Sequence, residues 1–247
     1  MQSSYSVQTG KEFAEEINAL LKENFRGLIL DLRNNGGGEV NAAVDVARVF
    51  VPSGPIVHVV SGNGKVDTKN ATEAQLEIPL VVLVNGNTAS ASEILSGALK
   101  ESGVATLVGT QTFGKGLVQG VYLFSDGTAM KITEAKYLTP KQNDINGVGI
   151  KPDVIVDLPE DAQVDTQLEK AIEILNQKMR GTYAGNGAVM ANAWAGGDIA
   201  LYAGVLAGCR IGISADAPVG PYAASVISTA AGNDSGKGSS YCSNRNV

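Results

Sequence analysis

The chain has 247 residues, 25 of them acidic and 19 basic, with a net charge of -6 and a pI near 4.9. That length can bury a sizeable core in one or two domains, and the acidic balance argues against a nucleic-acid partner. No apolar run is long enough to span a bilayer: residues 199–213 come nearest but are short, rich in small residues and interrupted by Arg210. The first five residues lack the basic start and apolar run of a signal peptide.

In chain order, Thr9 with Glu12 predicts a capping box ahead of a helical stripe of Phe13, Ile17, Leu20 and Leu21. Residues 27–33, Gly-Leu-Ile-Leu-Asp-Leu-Arg, predict a buried strand that runs into a glycine-rich loop at 34–38. A helix is predicted over 40–51 and strands over 56–61 and 78–85. Residues 90–102 predict a helix with Ile94, Leu95, Ala98 and Leu99 on one face, and 105–109 a short strand. Residues 117–124 and 129–138 predict two strands joined through Ser125-Asp126-Gly127-Thr128, a hairpin signal. A last strand is expected over 152–158 and a last helix over 164–179, with a stripe of Leu168, Ile172 and Leu175. Such alternation favours a layered α/β domain.

The composition changes near residue 180. Residues 181–247 hold twelve Gly and fourteen Ala but three acidic and three basic side chains, so the whole net charge belongs to residues 1–180. We divide the chain there, into a core of 1–180 and a Gly/Ala-rich tail of 181–247. The tail is expected to be dispensable for the core, because so few large apolar side chains cannot offset their ordering entropy. Within it, 194–210 resembles a weak helix, 224–229 a strand, and 232–247 a polar end. Cys209 and Cys242 are the chain's two cysteines, and they say little about compartment.

Two positions carry the chemistry. Ser90, in Asn87-Thr-Ala-Ser-Ala-Ser-Glu93, stands where a strand gives way to a helix N-terminus. Unpaired backbone N–H groups and the helix dipole favour negative charge there, so the Ala91 amide can stabilise an oxyanion. The plain alternative is that Ser90, Thr88 or Ser92 is a helix cap. Lys115 lies between Gly114 and Gly116 in an apolar region, with Gln119 four residues on. A serine needs a base. The chain's one histidine, His58, sits in a strand-like run as a structural residue, and a lysine kept neutral by burial can take that role. The alternative for Lys115 is a surface turn. In the loop Asn34-Asn-Gly-Gly-Gly38, Gly37 or Gly38 could supply a second oxyanion donor, or the loop could be an ordinary turn.

A rival pattern overlaps the lysine. Residues 109–115 fit the first seven positions of a P-loop, G-x-x-x-x-G-K, but Gly116 replaces the Ser or Thr that binds Mg²⁺, and 117–124 read as strand where a P-loop opens a helix. No His/Cys cluster has metal-ligand spacing.

Together these blocks resemble the C-terminal processing peptidases, also called tail-specific proteases. The matching segments are Gly27-Leu-Ile-Leu-Asp-Leu-Arg-Asn-Asn-Gly-Gly-Gly38, Val84-Asn-Gly-Asn-Thr-Ala-Ser-Ala-Ser-Glu-Ile94, Val108-Gly-Thr-Gln-Thr-Phe-Gly-Lys-Gly-Leu-Val-Gln119 and Gly147-Val-Gly-Ile-Lys-Pro-Asp153. The resemblance covers residues 5–179. It implies a crotonase-like or ClpP-like α/β core with a mixed sheet, and a serine endopeptidase that cuts proteins near their C-termini through an acyl-enzyme. Ser90 is then the nucleophile and not Ser92, Lys115 the base, Gln119 the residue that orients it, and Ala91 and Gly37 the oxyanion-hole positions. No cofactor is implied, the partners are protein or peptide substrates, and the family is usually exported.

Three departures matter. Gly36 stands where the family usually has proline. Set against the family, this sequence is expected to start at the end of the strand before the first helix and to go without the upstream helical region and PDZ domain. The tail matches nothing recognisable. A non-catalytic peptide-binding or assembly module is the rival from another class, and the oligomeric state stays open.

Overall fold

The computed structural model describes residues 5–22, 25–73, 76–159, 161–184 and 200–203. Two sheets organise the domain. The first is wholly parallel, built from β1 (Leu28–Asp31), β4 (Leu80–Val84), β5 (Ala105–Gly109), β8 (Val154–Ile155) and β9 (Ala200–Ala203), in the order β8-β5-β4-β1-β9. The second is antiparallel, from β2 (Pro55–Ser61), β3 (Val66–Asn70), β6 (Leu117–Leu123) and β7 (Ala129–Leu138), in the order β3-β2-β7-β6.

The apolar runs of β1, β4 and β5 are continuous because helices cover both faces of the parallel sheet. Leu28, Leu30, Leu80, Val82, Val84 and Leu107 share one cluster with the buried side chains of α1 (Thr9–Leu21), α2 (Val40–Phe50) and α3 (Ala91–Glu101). Ile29, Val81, Leu83 and Val108, one residue out of phase, pack with Ala171 and Leu175 of α4 (Thr166–Ala184). The period of two assigns alternate side chains to opposite layers. At roughly 1.5–3 kcal/mol for each fully buried Val, Leu or Ile, this sandwich is the main stabilising term.

Several expectations shift. Thr9 is not a cap: α1 begins at Thr9 behind Gln8, and Thr9 Oγ1 instead accepts the Ser6 N–H at 2.9 Å. The last strand shrinks to Val154–Ile155, since only two residues find a partner on β5. Residues 66–70 form β3, whose polar sequence hid a hairpin with β2. The α4 helix runs past residue 180 to Ala184, and residues 200–203 lie parallel to β1, Leu28 opposite Ala200 and Asp31 opposite Ala203. That strand occupies the part of the tail read as helix. The 224–229 segment, the polar end and both cysteines lie outside the described residues.

Candidate active site

Because β1, β4 and β5 are parallel and in register, the loops that leave them start at one edge of the sheet. These are residues 32–39, 85–90 and 110–116, three of the four segments picked out by sequence. Asn34 and Asn85 exchange hydrogen bonds, Asn34 N–H to Asn85 Oδ1 at 2.9 Å and Asn85 Nδ2 to Asn34 Oδ1 at 3.0 Å. The buried Thr88 hydroxyl donates to Leu32 O at 2.7 Å. Arg33 pairs with Asp31 at 2.7 Å and Asp165 at 2.8 Å, which fastens the first loop to the start of α4. Burial works against its charge, but the two carboxylates outweigh that and raise its pKa.

Ser90 is the residue before α3. Its backbone stands at φ 57° and ψ -118°, a region that an L side chain adopts only under strain of order 1–3 kcal/mol. A sharp strand-to-helix turn of this kind carries a half-buried side chain to the head of the helix. The next amide, Ala91 N–H, has no acceptor among the described residues. Ser92, two residues on, is fully buried, and its hydroxyl donates to Asn35 Oδ1 at 2.6 Å.

Glu93, also fully buried, joins the second and third loops. Its Oε2 accepts the N–H groups of Ser90 at 2.9 Å and Lys115 at 2.8 Å. Its Oε1 accepts the Thr112 hydroxyl at 2.6 Å and the Gly114 N–H at 2.7 Å. Two amides on one oxygen at these distances lie within about 6 Å of each other. The buried carboxylate is sustained by four donors and the positive end of α3. Lys115 is half-buried, and among the described residues its ammonium pairs with no carboxylate. The fourth sequence block backs this loop: Gly147 N–H donates to Gly114 O at 2.8 Å, and Ile150 N–H to Thr112 Oγ1 at 2.6 Å.

The glycine loop is layered between two chain segments. A Cβ on Gly37, whose φ is 92°, would sit 2.6 Å from Ala89 O, 2.8 Å from Ala91 N and 2.9 Å from Ser90 Cβ, so only glycine fits against the elbow. On the other side, Tyr5 N–H donates to Gly37 O at 3.2 Å, and Glu39 N–H to Tyr5 O at 3.0 Å. The Gly37 N–H itself goes to Asn35 Oδ1 at 3.0 Å. The Tyr5 hydroxyl is buried with Ser92 as its polar neighbour, but no hydrogen bond closes between them, and burial raises its pKa.

The fold thus assembles Ser90, Ala91, Lys115 and Gly37 at one place. Gln119 lies on β6 beyond a bulge, exposed, and among the described residues no hydrogen bond joins its side chain to Lys115. The P-loop pattern fails on the strand that follows it, β6, which offers no helix N-terminus for phosphate. His58 bonds Thr68 Oγ1 at 2.8 Å and faces Pro140 O at 3.3 Å, as a structural residue does. Among the described residues no cluster of His, Cys, Asp and Glu could hold a metal, and no helix is long and apolar enough to cross a membrane. Reading the sequence missed Glu93, Asn35 and Thr112 as members of the site. The signal for Glu93 was present: Ser90-x-x-Glu93 is a capping-box pattern.

Residues 2–156 match Peptidase family S41. A carboxyl-terminal-processing protease of Synechocystis is 44% identical over 180 residues, 70% of this chain and 42% of that protein. The carboxy-terminal processing protease CtpA of Bacillus subtilis is 42% identical over 164 residues, 66% of this chain and 35% of that one. Among solved structures, a photosystem II D1 C-terminal processing protease superposes with a TM-score of 0.58 at 42% identity, over 69% of this chain and 44% of that chain. A lipoprotein from Streptococcus agalactiae shares the fold at 20% identity, with a TM-score of 0.57 over 69% of this chain and 61% of that one. The chain spans less than half the length of the two proteases named from sequence. With more than half of its residues inside the family match and its α/β layers superposing on those of such proteases, the chain belongs to peptidase family S41.

Proposed function

We propose that this chain is the catalytic core of a serine endopeptidase that cuts protein substrates near their C-termini through a Ser90–Lys115 dyad. The observation that carries the reading is the Glu93 carboxylate, which holds the strained Ser90 turn and the Lys115 loop on one oxygen. In the reaction, Lys115 in its neutral form takes the Ser90 proton as Oγ attacks the scissile carbonyl. The carbonyl π pair moves to oxygen, and the oxyanion rests on the Ala91 N–H and an amide of the Gly37–Gly38 turn. Collapse expels the amine, which takes its proton from Lys115, and leaves an ester on Ser90. Water, deprotonated by the same lysine, attacks the ester; collapse breaks the bond to Ser90 Oγ, which takes its proton back from Lys115 as the acid leaves. Gln119 belongs to this reading as a residue that orients Lys115 once substrate is bound. The substrate class rests on the names of the relatives, and the core is assigned to residues 1–180.

A serine-directed fluorophosphonate tests the reading. Labelling of the wild-type chain at Ser90, lost in Ser90→Ala and in Lys115→Ala, supports the dyad. A folded wild-type chain that stays unlabelled points instead to a non-catalytic peptide-binding module.

A further inference from the structure

The two edges of the antiparallel sheet are built differently. β3, at one end of the order β3-β2-β7-β6, carries Asp67 and Lys69, charges that turn other strands away. β6, at the other end, reads Leu-Val-Gln-Gly-Val-Tyr-Leu, with no charge and no proline. Its surroundings are apolar as well. Val121, Tyr122, Leu123 and Phe124, with Met130 and Ile132 beside them on β7, each expose 40% or more of their area.

The hairpin turn fixes which way the backbone of β6 faces. Phe124 N–H donates to Thr128 O at 2.8 Å, so residues 124 and 128 are a hydrogen-bonded pair. Counting back in the one-to-one register, Tyr122–Met130 and Gly120–Ile132 are the next such pairs. The N–H and C=O groups of Leu123, Val121 and Gln119 therefore point away from β7, and among the described residues they bond to no other strand.

We propose that this edge is the interface for a second copy of the chain, the two β6 strands pairing antiparallel about a two-fold axis at Val121. Val121 then faces its own counterpart and Gln119 faces Leu123, so every outward N–H of these residues finds a carbonyl. The edge suits itself because it is uncharged, and a two-fold axis brings no like charges together. The Tyr122 hydroxyl bonds Glu134, which lays its ring over Gly120. The two Tyr122 residues fall on one diagonal of the joined sheet, about 7–8 Å apart and within reach of each other's rings. The exposed parts of the six apolar residues come to roughly 600–700 Å² in each copy, so two ribbons bring together on the order of 1,000 Å², the size at which specific interfaces begin.

The test is the oligomeric state of the full chain, followed by sedimentation velocity over about 1–100 µM. The wild-type chain is expected to pass from monomer to dimer in that range. Val121→Pro removes an N–H that β7 does not use, so Tm should change by no more than a few degrees while the dimer Kd rises at least about tenfold, because the loss counts twice at the axis. Leu123→Lys adds a charge to the edge in each copy and should weaken the dimer likewise, which keeps the test open if the proline variant folds poorly. Register is read by disulfide formation in a chain carrying Cys209→Ser and Cys242→Ser. Val121→Cys should link to its own counterpart on mild oxidation, since facing residues in such a pair lie about 5.5 Å apart at Cα. Leu123→Cys faces Gln119 and should not link. The proposal is overturned if the wild-type chain stays monomeric throughout, if a dimer forms whose Kd neither variant changes, or if Leu123→Cys links faster than Val121→Cys. A monomer whose β6 amides become protected from hydrogen exchange only when casein is added would make the edge a site for extended polypeptide, and would overturn it too.

Discussion

Glutamine at position 93 keeps the shape of the Glu93 side chain but removes its charge and turns one acceptor into a donor. The amide nitrogen must then face either the Ser90 and Lys115 N–H pair or the Thr112 and Gly114 pair. The second is cheaper, because the Thr112 hydroxyl can rotate from donor to acceptor. One buried N–H, that of Gly114, is left without an acceptor at about 1–3 kcal/mol. The bonds from Ser90 and Lys115 change from charge-assisted to neutral, a further loss of roughly 1 kcal/mol. Relief from burying a charge pulls the other way. We therefore expect Glu93→Gln to destabilise the fold by about 2–4 kcal/mol, a large share of the ~5–15 kcal/mol that a domain has, and to lower Tm by roughly 5–15 °C. Turnover should fall at least about tenfold even well below Tm, since small misplacements of reacting groups are costly. Urea denaturation and casein hydrolysis by the same preparation measure both effects. A Glu93→Gln protein with the wild-type midpoint and the wild-type rate would refute the clamp.

Ser90→Ala should abolish hydrolysis, whereas Ser92→Ala should retain most of it and cost about 1 kcal/mol for the lost bond to Asn35; equal losses in two folded proteins would show the register to be wrong. Lys115→Arg should be as inactive as Lys115→Ala, because arginine keeps the charge but cannot accept a proton near neutral pH; a Lys115→Arg protein with most of its activity would make the lysine an electrostatic group. Ending the chain at Arg180 removes β9 from the edge of β1 and the last turn of α4. Ser90 should still react with fluorophosphonate, with Tm lowered by a few degrees; an insoluble or unreactive shortened chain would make the tail part of the fold.

The core helices and the strands of the parallel sheet were legible because burial on two faces writes continuous apolar runs into β1, β4 and β5, and burial on one face writes a stripe into α1, while α3 is buried all round over residues 91–99. Capping was not legible in the same way. Thr9 with Glu12 and Ser90 with Glu93 show the same local pattern, yet only Glu93 reaches back to the amide at the helix start. The difference lies in what surrounds each carboxylate: Glu12 stands on the first turn of a surface helix, whereas Glu93 is enclosed by the loop after β5. The polar β3 was missed for a related reason, since it is held by its backbone pairing with β2 and not by an apolar face.

Sequence alone picked out the segments that the fold brings together, because a serine at a strand-to-helix turn, a lysine between glycines and a run of glycines after a buried strand are local signals. Tertiary structure decided how they meet. Ser90, Thr112, Gly114 and Lys115 come from two loops that parallel pairing of β4 and β5 delivers to one edge, Glu93 stands on the first turn of α3 beside them, and a third loop, after β1, brings Asn35 and Gly37. The path of the glycines in that loop is fixed by Tyr5 on one side and Ala89 to Ala91 on the other. A hydrogen bond is satisfied by whatever lies within about 3 Å of it: Gly37 N–H finds Asn35 close by in the chain, but Lys115 N–H finds Glu93 and the Ser92 hydroxyl finds Asn35 far along it.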